Sequence, residues 1–113
     1  MAGPYSVVRE AGDLVFVSGQ LPIDPETGVM PQDIADQTRA ALRNLEAAVA
    51  SAGLTKANIV KTTVFMTNFT DFAAMNAVYA EFFGEPYPAR SAMEVTALAA
   101  GAAIEIEAVA SRV

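Results

Sequence analysis

The sequence predicts an α+β domain: a single mixed β-sheet with two helices packed on one face, in the order β-β-α-β-α-β-β. Three observations carry that expectation. At 113 residues the chain suits one domain, so residues 1–113 are read as a single unit. Two stretches flanking a β-branched run at 59–67 carry apolar residues at helical spacing. The other apolar stretches are short and bounded by turn-forming residues, as the strands of a sheet are.

Residues 6–10 and 14–18, the second reading L-V-F-V-S, are expected to be strands around the turn Ala11-Gly12-Asp13. Asp24 to Gly28, D-P-E-T-G, has turn chemistry throughout. Residues 33–52 form the first helix, with Ile34, Thr38, Ala41, Leu42, Leu45, Ala48 and Val49 in one stripe. Asp33 suits its N-cap and Gly53 the position just past its end. Ile59 to Thr67 reads as a central strand. Thr70 or Asp71 is expected to cap a second helix that ends at Gly84, with Phe72, Met75, Val78, Tyr79 and Phe82 as its buried stripe. Strands at about 90–97 and 103–111 complete the chain. In the last strand Ile104, Ile106 and Ala108 point one way, and Glu105, Glu107 and Val109 the other. If the isoleucines pack on the helices, both glutamates stand on the uncovered face.

Composition narrows the function. Hydrophobic residues make up 53% and charged ones 18%, which is apolar for so small a domain. Alanine content is one source; burial of apolar surface against other subunits is the sharper reading. A net charge of −6 with seven basic residues argues against non-specific nucleic-acid binding. No apolar run approaches the length of a membrane span, and MAGPYSVVRE lacks the basic and apolar parts of a secretory leader, so a cytoplasmic location is expected. Without His or Cys, the Ser-His-Asp and Cys-His arrangements and the usual zinc sites are excluded. Neither G-x-x-x-x-G-K-[ST] nor G-x-G-x-x-G occurs. Catalysis here would use Arg, Glu, Asp, Tyr, Ser, Lys, backbone groups and water, with no cofactor.

The stretch Pro88 to Ala110 is the chemically informative one. It places Arg90 in a short apolar strand and, fifteen residues later, two glutamates at alternate positions of another. Such charges need partners, because burying one unpaired costs several kcal/mol by rough estimate. Arg90 offers a planar fork of donors matched to a carboxylate, and Glu105 an acceptor able to take a proton from water. Together they outline a site for a small organic acid; the plainer reading is an interface ion pair. Glu107 reads as part of a polar interface network, and Lys61 as a strand-end or interface charge as readily as a site residue.

GPYS at 3–6, VSGQLP at 17–22, P-E-T-G at 25–28, IVKTTVFMTNFTDF at 59–72, NAVYAEFF at 76–83, PARS at 88–91 and IEIEAVA at 104–110 occur in one order along nearly the whole chain. In these segments the chain resembles the RidA/YjgF family of enamine/imine deaminases. The resemblance implies a chorismate-mutase-like fold assembled as a homotrimer, with sites in the clefts between subunits. It implies that Arg90 binds the substrate carboxylate and Glu105 orients the hydrolytic water. Gly19 lends main chain to ligand binding, with Ser18 beside it, and Tyr5 sits at the cleft edge. Ala92 stands where many members carry cysteine, keeping the backbone amide and a small side chain but no sulfur nucleophile. Lys61 is also at a position retained in the family. Relatives usually carry about a dozen residues before GPYS, including an edge strand, and a longer loop than Gly84–Tyr87.

The function expected is therefore hydrolysis of 2-aminoacrylate or 2-iminopropionate type intermediates to a 2-ketoacid and ammonia. The partners implied are a small imino acid or ketoacid and further copies of the chain, with neither nucleic acid nor membrane. One alternative is a regulatory module that binds a small carboxylate such as a 2-ketoacid without turnover. An endoribonuclease or translation-inhibitor role, a label attached to some relatives, is opposed by the acidic charge. A chaperone-like role is open to any oligomer with apolar surface.

Overall fold

A computed structural model describes residues 3–113. Its elements are strands β1 (Val8–Ala11) and β2 (Leu14–Gln20), helix α1 (Ile34–Ser51), strand β3 (Ile59–Met66), helix α2 (Phe72–Phe83), and strands β4 (Ala89–Glu94) and β5 (Ile104–Ser111). The five strands form one sheet in the order β1-β2-β5-β3-β4. Only β3 and β4 run parallel, joined through α2, so the sheet is mixed. This places β4 at an edge, beyond β3.

Helix α1 begins where the sequence suggests. The Asp33 carboxylate accepts from the Asp36 amide at 2.8 Å, and Gly53, at φ 79°, donates its amide to the Ala50 carbonyl. The stripe of both helices packs on one sheet face. Leu42, Leu45 and Val49 of α1 and Met75, Val78 and Tyr79 of α2 are buried against Val15, Val17, Val64, Met66, Ile104 and Ile106. The alternation in β5 falls as read: Ile104, Ile106 and Ala108 are buried, while Glu105, Glu107 and Val109 lie on the face no helix covers. Leu14, Phe16 and Met93 are exposed on that same open face, each by about 40%.

Several boundaries differ from the sequence reading, each for a local reason. Pairing in β1 starts at Val8 rather than residue 6, because the Ser6 carbonyl accepts instead from the Ser18 hydroxyl, at 2.5 Å. β2 continues to Gln20 through a break in register between Val17 and Gln20. Neither Thr70 nor Asp71 caps α2 with its side chain: a 3-10 turn, Phe69–Asp71, leads into the helix, and Asn68 caps that turn by accepting from Thr70. β4 ends at Glu94 rather than near 97. After Val95 donates to the Met66 carbonyl, the chain leaves the sheet for a turn at Ala99–Gly101 that puts Ala100 at φ 58°. Among the described residues no helix is long and apolar enough to cross a membrane.

Candidate active site

The strand registers divide the sequence-predicted residues into two groups. Arg90 pairs with Thr62 and Ala92 with Val64, both buried beneath the helices, so Arg90 and Ala92 share the helix-side face of β4. Glu105 pairs with Phe65 on the opposite face. The carboxylate fork and the acid/base candidate therefore do not meet within one chain. Of the other candidates, Gly19 lies against Glu105, with Ser18 next to it on β2.

Arg90 is exposed rather than buried, yet it is well held. Its Nη1 donates to Asn76 Oδ1 at 2.7 Å. Its guanidinium carbon lies 4.8 Å from the Tyr79 ring centre and 5.5 Å from that of Phe72. Among the described residues no carboxylate pairs with it, so the ion-pair alternative is not realised inside the chain. One of its five N–H donors is engaged by Asn76, leaving donors for a carboxylate. A cavity of about 490 Å³ opens beside it, walled by Tyr79, Tyr87 and Pro88.

Glu105 is half-buried on the open face and directly over Gly19. A Cβ at Gly19 would lie 2.7 Å from the Glu105 carboxyl carbon and 2.8 Å from Oε2. Gly19 is thus required by volume: its missing side chain is the space the carboxyl occupies. Burial pushes the Glu105 carboxyl above the usual carboxylate range, and the like charge of Glu107 adds to the shift. The Ser18 hydroxyl ties this strand to Ser6, which brings Tyr5, 55% exposed, to the same end of β2. Lys61, on the open face, donates to Ser91 Oγ at 2.9 Å and to the Thr62 carbonyl at 3.1 Å. Glu107 is exposed, with no ion pair among the described residues.

Residues 1–112 match the family model described as endoribonuclease L-PSP. A RutC family protein of Pyrococcus horikoshii is 50% identical over 109 residues, covering 96% of this chain and 86% of the relative. TdcF of Escherichia coli, named as a candidate reactive intermediate deaminase, is 46% identical over 113 residues, 97% of this chain and 88% of its own. The crystal structure of the Escherichia coli YjgF gene product superposes with TM-score 0.97 at 46% identity, covering 100% of this chain and 91% of that one. Escherichia coli TdcF with bound serine superposes with TM-score 0.96 at 45% identity, with the same coverage. The chain belongs to the RidA/YjgF family.

Within this RidA/YjgF chain, the residues that sequence reading passed over are those that hold Arg90. Phe72 and Tyr79 read as core, and Asn76 drew no attention at all. Their spacing is the available signal: 72, 76 and 79 are i, i+4 and i+7 on one face of α2, and Asn76 is the polar member of that face. An amide at that place needs a partner from another element, and the parallel pairing of β4 to β3 supplies Arg90.

Proposed function

We propose that this chain is a cofactor-free deaminase of 2-imino acids and enamines, acting as a homotrimer whose sites lie between subunits. One observation carries the reading: the carboxylate-binding candidate Arg90 and the acid/base candidate Glu105 stand on opposite faces of one chain's sheet. Arg90 sits on an edge strand with donors free, and Glu105 sits on an uncovered, partly apolar face. Packing that face against a neighbouring copy would bury Leu14, Phe16 and Met93 and bring one copy's Glu105 toward another's Arg90. The family relationship to TdcF, and the serine found bound to that protein, support a small substrate of amino-acid type.

In this mechanism Arg90 grips the substrate carboxylate and so fixes the imine carbon. Glu105 accepts a proton from a water as its oxygen bonds to that carbon, and the C=N electron pair moves onto nitrogen, which takes that proton back from Glu105. Glu105 then passes the carbinolamine hydroxyl proton to the amine nitrogen as the carbonyl forms, the C–N bond breaks and ammonia leaves. An enamine such as 2-aminoacrylate enters after protonation at its terminal carbon gives 2-iminopropionate. The raised basicity of Glu105 suits this role, since a base works best with a pKa near the operating pH. No step needs a thiol, so Ala92 is compatible with it.

The test is ketoacid formation from freshly generated 2-iminopropionate, with the spontaneous rate subtracted. Wild type should accelerate it, and Arg90→Ala should lose the acceleration while keeping the fold. No acceleration by folded wild type, across several imines, would favour a carboxylate-binding module instead.

A further inference from the structure

A guanidinium at the end of a flexible side chain on an exposed edge strand has many rotamers, and ordering it costs entropy each time a ligand binds. In this chain the cost is met before binding. The Tyr79 ring lies under the Arg90 guanidinium at 4.8 Å, and Asn76 holds one donor at its rim. The ring is itself fixed. Tyr79 is 4% exposed, and its hydroxyl shares a 2.6 Å hydrogen bond with Thr62, which is fully buried on β3. Thr62 is also the residue paired with Arg90 in the parallel ladder. One hydroxyl pair thereby ties the strand beside Arg90 to the helix beneath its side chain.

Core packing alone accounts for an apolar ring at position 79, with Phe83 against it at 4.7 Å between ring centres. It does not account for the hydroxyl. A buried tyrosine and a buried threonine satisfy each other here where phenylalanine and valine would pack with no polar group to satisfy. The cation above the ring gives the pair a purpose: the ring face must stay beneath the guanidinium to attract its charge.

We propose that Tyr79, locked by the Thr62 hydroxyl, is a positioning residue for Arg90, holding the guanidinium by its face so that the fork meets a carboxylate edge-on. The proposal rests on Arg90 as the carboxylate anchor only for its consequence in activity; the ordering of Arg90 is a property of the protein without substrate.

The experiment follows both. Side-chain ¹⁵N relaxation of the Arg90 Nε–Hε group, assigned by its loss in Arg90→Ala, reads the ordering. KM and kcat for imine hydrolysis, measured on the same proteins, read the consequence. Tyr79→Leu should release the Arg90 side chain to the mobility of exposed Arg9, and raise KM about tenfold with kcat within about twofold. Tyr79→Phe, which keeps the ring face but frees it from Thr62, should leave Arg90 order between wild type and the leucine variant, with KM raised about threefold. Tyr79→Met, apolar but without a ring, replaces the leucine variant if that one does not fold. Unchanged Arg90 order in a folded ringless variant overturns the proposal. So does a fall in kcat and thermal stability together with Arg90 still ordered, which marks Tyr79 as structural only. Loss of order with no imine hydrolysis by wild type upholds the positioning role and overturns the deaminase reading instead.

Discussion

Gly19 and Glu105 are coupled by volume rather than by a hydrogen bond, and that makes a sharp residue-scale prediction. Gly19→Ala forces the carboxyl aside, because the new Cβ would stand 2.7 Å from its carbon. The carboxyl is the far end of a flexible side chain, so the fold should tolerate the change while Glu105 loses the position that the proposed mechanism gives its base. Activity should fall by about 10–100-fold with little change in melting temperature, since a misplacement near 1 Å costs on that order. Glu105 also predicts a pH dependence. Its folded-state pKa lies above the ordinary value of 4.5, so the folded chain holds the proton more tightly than the unfolded chain does. Its contribution to stability is therefore greatest at acid pH and declines as pH rises from 4.5 through the raised value. Glu105→Gln should melt higher than wild type at neutral pH, with the gap closing toward about pH 4; chemical denaturation across that range measures it. Imine hydrolysis, if Glu105 is the base, should lose rate on the acid side with an apparent pKa above 4.5.

At the scale of elements, most of the architecture was legible because local signals were strong. The stripe of α1, its cap at Asp33 and its stop at Gly53 agree with the structure, as does the alternation in β5. What failed were ends settled by bonds from elsewhere. Ser6 left the β1 ladder because a hydroxyl twelve residues away claimed its carbonyl. Asp71 does stand at the N-cap position of α2, but its side chain makes no capping bond, because a 3-10 turn capped by Asn68 leads into the helix. The end of β4 came early because the chain must turn back at Ala99–Gly101 to reach β5. That turn holds Ala100 at φ 58°, where an L-residue with a Cβ is disfavoured by about 1–2 kcal/mol. Glycine removes this strain at an entropic cost of about 0.5–1 kcal/mol. Ala100→Gly should accordingly stabilise the fold by about 0.5–1 kcal/mol in denaturant unfolding, with activity unchanged.

At the scale of the whole molecule, the sequence named candidate residues but not how they are arranged. Residue parity along one strand says which side chains share a face; it says nothing across strands until their register is known. Only the pairing of Thr62 with Arg90 and of Phe65 with Glu105 shows that the two candidates stand on opposite faces. On the proposed assembly, copies associate through the open face, where Leu14, Phe16 and Met93 are exposed beside Glu105 and Glu107. Phe16→Glu should therefore give monomers by light scattering, with imine hydrolysis lost although Arg90 and Glu105 are both present. A site shared between copies has a further consequence: a subunit lacking Arg90 and one lacking Glu105 can complete each other. The decisive measurement mixes Arg90→Ala with Glu105→Gln, each inactive alone, after joint dissociation and reassembly, and assays imine hydrolysis. Recovery of about a quarter of wild-type activity is predicted for an equal, random mixture, because that share of the sites receives both intact residues. No recovery in reassembled, folded oligomers would contradict a site built between subunits from Arg90 and Glu105.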